Sequence, residues 1–422
     1  MNKLIQIWKA KDLRNNILYV LGMLVIFRMA AHVPVPGVDV KELQAFMNSN
    51  QILGLMNLFS GGGMENFSVI MMSVGPYITA SIIFQLLGMI IPSLEEMNKE
   101  EAGRQKINMW TRWLTVPMAV LQGYGMITIL RQSNRDIITA TNPFDIFVIL
   151  MTITAGTIFV MWLGELISEK KVGNGISLLI FAGIVAQIPV ALQQTMVNFD
   201  QSQLFTLLWF IAIAVVTIVG VVIISEGQRN VPVQYAKQMR GNRMFGGSTS
   251  HLPLRVNMAG VIPIIFAVSV VLFPPMVAQF FIQAKTQFIA DAAQWVYQIF
   301  QNQLFYAVIY FILVFAFTFF YTEVVFHPSQ IAENLQKQGG FIPGIRPGRP
   351  TAEYLAQTTY KIILAGALFL SIIAILPLIM RYFTNIQSLA IGGTSLLIVV
   401  SVVIETVKQI QSQLTMREYE GV

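Results

Sequence analysis

The sequence predicts an all-α polytopic membrane protein of ten transmembrane helices, and three observations predict it. Of its 422 residues 55% are hydrophobic and only 11% are charged, where soluble domains carry about a quarter of their residues as Asp, Glu, Lys and Arg. Ten apolar segments recur along the chain, each close to the roughly 20 residues that cross a bilayer core as a helix. Threaded through a membrane, those segments leave most of the Lys and Arg on one side, the bias expected of cytoplasmic loops. Period-2 alternation is absent, so the spans are helices, which satisfy their own backbone hydrogen bonds in lipid.

The first span, 17–33, follows a polar, basic N-terminus, Met1 to Arg14. Arg28 interrupts it and no small-residue cleavage site follows, so it reads as a retained helix and not as a removed signal peptide. The next uncharged stretch, Leu43 to Met64, holds Asn48, Asn50, Asn57 and three consecutive glycines, Gly61 to Gly63, which make a poor membrane helix. It is left outside the count. Spans two to six follow at 73–91, 113–130, 146–164, 176–193 and 204–224, and spans seven to ten at 258–282, 305–322, 362–380 and 386–404. With the N-terminus inside, the cytoplasmic side receives 21 of the 27 basic residues, and the outside receives Lys41, Arg131, Arg135, Lys285 and Arg381. Counting Leu43 to Met64 as a span would reverse that bias. Both termini are therefore expected in the cytoplasm.

Ten spans divide into five and five, and an odd number per half lets the second half enter the membrane inverted. The halves are 1–197 and 198–422. Gly/Pro-interrupted segments at corresponding positions of such halves often mark the working site. Span two carries Gly75-Pro76, and span seven carries Gly260, Pro263 and Phe273-Pro274-Pro275. Helices two and seven are the best candidates for moving parts.

Several chemistries find no residues. No glycine-rich run ends in Gly-Lys-Ser or Gly-Lys-Thr, so no nucleotide-hydrolysing loop is expected. With no cysteine and only three scattered histidines, His32, His251 and His327, no metal site and no thiol nucleophile is expected. An ion-coupled pump places carboxylates or histidines inside the membrane, where each ionised group costs about 3 kcal/mol or more. Here Glu165, Glu323 and Glu405 fall at cytoplasmic helix ends, and Arg28 alone is clearly inside a span, where snorkelling or a structural pairing is at least as good a reading as transport chemistry. The chain reads as a passive conduit. A small-solute transporter would need a buried polar site, for which only Gln85, Gln122 and Gln187 offer themselves; an intramembrane enzyme would need a paired Ser/His, two Asp or a metal motif within spans.

Two cytoplasmic connections are long, Ser225 to Asn257 and His327 to Ala356, against helix connections of roughly 2–8 residues. The first carries Arg229, Lys237, Arg240, Arg243 and Arg255 against the single acid Glu226. In the second, GGFIPGIRPGRP combines glycines and prolines in a stiff turn that presents Arg346 and Arg349.

Five long motifs in order resemble the SecY family of protein-conducting channels: PYITASIIFQLL (Pro76 to Leu87), VGNGISLLIFAGIVA (Val172 to Ala186), STSHLPLRVNMAGVIP (Ser248 to Pro263), AENLQKQGGFIPGIRPG (Ala332 to Gly348) and GGTSLLIVVSVVIE (Gly392 to Glu405). The resemblance spans nearly the whole chain. It implies two five-helix halves closed like a clamshell around an hourglass pore, narrowed by an aliphatic ring that falls on Val74, Ile78, Ile180, Ile184, Ile265 and Ile398. Valine at position 74, where the family has isoleucine, makes the ring slightly smaller. The uncounted segment becomes a plug at about 53–66, including Leu55, Phe59, Gly61, Gly62, Gly63 and Met64. Thr79 and Phe273 match positions facing each other across a lateral gate between helices two and seven. The loop residues Arg240, Arg243, Arg346 and Arg349 match the docking surface for the SecA motor ATPase and the ribosome. The resemblance further implies SecE and SecG as accessory subunits, secretory preproteins with signal sequences as substrates, membrane lipid at the gate, the bacterial cytoplasmic membrane as location, and neither enzyme activity nor a cofactor.

Overall fold

The computed structural model describes residues 8–49, 57, 60–131, 137–138, 142–197, 204–235, 238–240, 243–245, 249–282, 284–384 and 387–420. The ten apolar segments fall mainly on helices among the described residues. In chain order these are α1 (Lys11–Ala30), α2 (Val40–Ser49), α3 (Gly75–Ile90), α4 (Pro92–Lys99), α5 (Glu101–Arg131), α6 (Pro143–Glu169) and α7 (Gly175–Val197). Then come α8 (Leu204–Glu226), α9 (Ile262–Phe281), α10 (Gln287–Gln301), α11 (Gln303–Val325), α12 (Pro328–Lys337), α13 (Arg349–Thr384) and α14 (Gln387–Glu420). Among the described residues seven helices are long and apolar enough to cross a membrane, eight if the bent pair α3–α4 is one broken span, and α7 and α8 add the shorter apolar stretches Gly175–Val190 and Ile211–Glu226. The chain is a multi-pass membrane protein.

Local chemistry sets the helix ends. Proline disfavours helical backbone in the residue before it, so Ile91 is extended ahead of Pro92 and the chain turns 107° between α3 and α4. Asp39 Oδ1 accepts from the backbone N–H groups of Lys41 (2.9 Å) and Glu42 (3.3 Å) and so caps α2, and Asn302 Oδ1 does the same for α11. Many span hydroxyls turn back on their own helices. Thr111, Thr115, Thr157, Thr318 and Ser371 each donate to the carbonyl four residues earlier at 2.7–3.0 Å, which leaves mostly apolar contact between neighbouring helices.

Helices α1 to α7 pack among themselves, as do α8 to α14, and the two groups meet where α3 and α5 touch α9 and where α7 touches α14. One buried apolar cluster runs through this junction. A second lies at one end of the bundle, where Leu43 and Met47 of α2 cover Met64, Phe67, Met71 and the ends of α5 and α6.

At the opposite end the two long connections meet in a small three-stranded sheet, beside which the first also carries a two-stranded hairpin. Strands β1 (Gln228–Tyr235), β2 (Gln238–Arg240), β3 (Arg243–Phe245), β4 (Thr249–Arg255) and β5 (Gly340–Phe341) form an antiparallel β4-β1-β5 sheet and a β2-β3 hairpin. β1 pairs β4 in the register Gln228↔Arg255 to Gln234↔Thr249, and β5 pairs the far end of β1 at Tyr235↔Gly340. Val231 and Val233 alternate inward onto Leu254, Leu335 and Leu355, the period of a strand with one covered face. In the second connection Gly344 and Gly348 adopt left-handed backbone, at φ 81° and 94°, where other residues would be strained.

Candidate functional site

The six aliphatic residues expected to form a ring come from four helices and converge. Val74 caps the start of α3, and Ile78 lies one turn on. Ile180 and Ile184, four residues apart, share one face of α7; Ile265 sits in the first turns of α9 and Ile398 in α14. All six are at most 6% exposed and belong to the same buried cluster at the junction of the two helix groups. This centre is dry. About one to three turns further along α14, Ser401, Glu405 and Lys408 line a cavity of about 340 Å³ towards the sheet end, together with Arg255, Asn257 and Gly260. The expected waist is thus apolar, with a cavity that carries charged side chains towards the sheet end.

On the other side of the waist lies the segment expected to be a plug. Leu55 and Phe59 are outside the described residues. Asn57 and the residues from Ser60 onward form a tight, internally bonded turn. Asn57 Nδ2 donates to Glu65 Oε2 at 3.2 Å, and Asn57 Oδ1 accepts from the Glu65 N–H at 3.0 Å. Ser60 Oγ donates to the Asn57 carbonyl and accepts from the Met64 N–H, both at 3.0 Å. The turn is seated by backbone contact. Gly61, at φ 69°, lies so close to α7 that a Cβ built on it would stand 2.8 Å from Gly183 Cα. Arg28 at the end of α1 donates from Nη1 to the Gly61 carbonyl at 2.6 Å, and Gln187 Nε2 reaches the Asn57 carbonyl at 3.5 Å. Gly62 faces both donors, its Cβ position being 3.3 Å from Gln187 Nε2 and 3.7 Å from Arg28 Nη1, and Met64 is buried in the end cluster.

Thr79 and Phe273 face one cavity of about 90 Å³ between α3 and α9, which Ser60 and Met64 of the seated turn and Gln122 of α5 also line. Gln122 Nε2 donates to Thr79 Oγ1 at 3.2 Å while Thr79 Oγ1 donates to its own helix at Gly75 O, 3.1 Å away. The three span glutamines thus have separate partners, because Gln85 Nε2 donates to Ser81 Oγ; they do not gather into one polar site.

The four arginines lie at the sheet end. Arg240 and Arg243 pair across the tip of the β2-β3 hairpin. Arg346 is exposed in the glycine-flanked turn after β5, where its carbonyl accepts from Thr351 Oγ1 at 2.8 Å, and Arg349 Nε donates to Glu353 Oε1 at 3.1 Å with its side chain almost wholly in solvent.

Sequence reasoning did not find Asn57, Glu65, Gly183 or the partners of Gln122 and Gln187. The one available signal was Arg28, a charge within a span. It pairs with a backbone carbonyl, which no side-chain pattern announces.

The SecY family model matches residues 68–407. Curated relatives described as "Protein translocase subunit SecY" match end to end. That of Corynebacterium glutamicum is 41% identical over 100% of this chain and 99% of its own, that of Mycobacterium tuberculosis 43% over 97% of each, and that of Streptomyces coelicolor 41% over 98% of each. Among solved structures, one of a protein conducting channel superposes with a TM-score of 0.62 at 16% identity, covering 93% of this chain and 91% of that one. A SecY structure, whose plug domain is described as stabilising the closed state of its translocation channel, gives 0.63 at 17% identity over the same shares. Sec61 in a canine ribosome-channel complex gives 0.56 at 16%, again over 93% and 91%. Matched by the family model over most of its length and by curated relatives from end to end, the chain belongs to the SecY family.

Proposed function

We propose that this chain is the pore-forming subunit of a protein translocase, a passive channel that passes unfolded secretory polypeptides across the bacterial cytoplasmic membrane and releases apolar segments sideways into lipid. What supports this reading is the burial of all six aliphatic side chains in one apolar cluster where the two helix groups meet, with a cavity carrying charged side chains towards the sheet end and a seated turn towards the other. Branched alkyl groups can gasket a moving chain without hydrogen-bonding it, and can hold out ions by dewetting when empty. In this reading the seated turn is the plug, and residues 1–197 and 198–422 are the two inverted halves, hinged so that α3 and α9 part beside Thr79 and Phe273. A released signal sequence or membrane segment is driven into lipid by apolar burial worth about 25 cal/mol per Å². Both termini and the sheet lie in the cytoplasm, as the Lys and Arg bias requires.

A photoreactive amino acid in place of Ile78 or Ile265 tests the pore. With a secretory polypeptide stalled in transit, adducts are expected at both positions and none at Leu370, a buried residue of α13. Absence of adducts at both pore positions would sink the channel reading and favour a small-solute transporter.

The energy comes from outside the chain, from the SecA motor or the translating ribosome docking on the arginines of the sheet end; SecE and SecG complete the channel. Ribosomal RNA is a polyanion, and an acidic motor surface is met by the same charges. Reversing Arg346 exchanges an attraction for a repulsion, each about 1 kcal/mol at an exposed contact. Arg346→Glu is therefore expected to slow motor-driven export about tenfold while the channel still assembles, with the deficit shrinking at high ionic strength. Wild-type export by vesicles carrying the variant would remove Arg346 from the docking surface.

A further inference from the structure

Helix α10 has no role in the reading above. It leads from the far end of α9 to α11, at the end of the bundle away from the sheet. Laid out at about 3.6 residues per turn, its surface divides into three sectors. Ala293, nearly buried, and the partly buried Tyr297 and Phe300 face the protein. There Tyr297 lies 3.5 Å from Gln279 Nε2 of α9, and Phe300 packs edge-on against Phe305 of α11. Gln287, Asp291, Gln294, Gln298 and Gln301 form a polar sector beside it. The third sector, Phe288, Ala292, Trp295 and Ile299, is apolar and unpartnered: Phe288 is 81% and Trp295 65% exposed. Two aromatic rings left in water on one turn-spaced stripe mark a contact surface. The stripe does not end with the helix. Leu304, Val308 and Ile312, spaced four apart on α11, are also exposed, and on a membrane span such a ridge faces lipid.

We propose that α10 is an interfacial anchor, lying in the plane of the membrane surface with its Phe288–Trp295 face sunk into the headgroup region and holding the far end of α9 at that depth. A helix with one aromatic-apolar face and one polar face, joined at both ends to spans, has this as its lowest-energy position. Trp at one edge of the apolar sector suits the boundary, since its amphipathic ring prefers the headgroup level. The sole charged side chain on α10 at neutral pH is Asp291, so the anchor works by apolar burial and needs no anionic lipid. Through the Tyr297–Gln279 contact, the helix that lines the α3–α9 cavity is referenced to the bilayer and not to its neighbours alone.

The natural chain has no cysteine, so single cysteines can be labelled cleanly. Phe288→Cys and Trp295→Cys on the apolar sector, and Gln294→Cys and Gln298→Cys on the polar one, are each labelled with an environment-sensitive fluorophore in the full chain and reconstituted into phosphatidylcholine vesicles. The expected result is a blue-shifted emission at 288 and 295, quenched by a lipid nitroxide placed high on the acyl chain and spared by iodide, with the reverse at 294 and 298. Equal quenching by iodide at all four would place the helix in water and overturn the proposal. Protection of 288 and 295 from both quenchers would mean that a protein surface covers the face, and would overturn it as well. Should either apolar-sector variant fail to insert, Ala292→Cys gives the same reading from the same face.

Discussion

Replacing Gly61 by valine unseats the proposed plug, and planar bilayers holding the variant conduct ions at rest. Two independent penalties act on one residue. Gly61 sits at φ 69°, a left-handed conformation that costs a residue with a Cβ about 1–2 kcal/mol. The new Cβ would also stand 2.8 Å from the Gly183 Cα, a backbone atom of a packed helix that cannot step aside as the end of a side chain can. Moving the turn outward to relieve the contact lengthens the 2.6 Å bond from Arg28 to the Gly61 carbonyl and leaves a guanidinium without its partner. Since each 1.4 kcal/mol is a factor of about ten, the seated fraction is expected to fall at least tenfold, and single-channel recordings should show openings without any substrate. Gly22→Ala is the control, because a Cβ there meets nothing within 4 Å. Resting conductance equal to wild type in Gly61→Val would separate the seated turn from the seal.

Ile180→Asn is expected to have the second large effect, through the waist itself. Ile180 is 1% exposed, and exchanging a buried branched alkyl group for an amide with no partner costs roughly 2–5 kcal/mol in lost packing and desolvation. The thermal midpoint in detergent should drop. That alone would be true of any core position, so the decisive comparison is with Leu370→Asn, an equally buried site in the same cluster on α13. Both variants should lose stability, whereas only Ile180→Asn should admit water and ions at the constriction, raising resting conductance with the Gly61 contacts intact. Equal conductance in the two variants would return Ile180 to the status of ordinary core.

The helices were legible because lipid makes a crude demand, some twenty apolar residues without charge, and sequence meets it openly. The sheet was not. Pro232 and Pro253 interrupt β1 and β4 near their middles, which argues against strands in a linear reading, yet β4 lies at an edge of the sheet and tolerates its proline there. Helix α10 escaped because its polar sector is four-fifths glutamine, with no charge pattern to set against the apolar one. Helix α2 was hidden in a stretch judged only for its fitness to cross a membrane. The ring residues illustrate a deeper limit: an isoleucine that gaskets a pore and one that fills a core are the same side chain, and only the longer motifs around Ile78, Ile180, Ile265 and Ile398 distinguished them. The seat of the turn was illegible for the opposite reason, since Gly61, Gly183 and two carbonyls act through backbone that no residue identity encodes.

The self-contained hydroxyls of the spans bear on how often such a molecule can work. In the proposed opening of α3 from α9, Thr79 would keep its bond to the Gly75 carbonyl, and residues flanking the seam, such as Leu272 and Met276, would lose dispersion contacts that lipid or a passing chain replaces in kind. Among these described residues no donor would be stranded. Opening and reclosing should then follow the same path, with little hysteresis and a small enthalpy, so that thousands of cycles leave the bundle as it began.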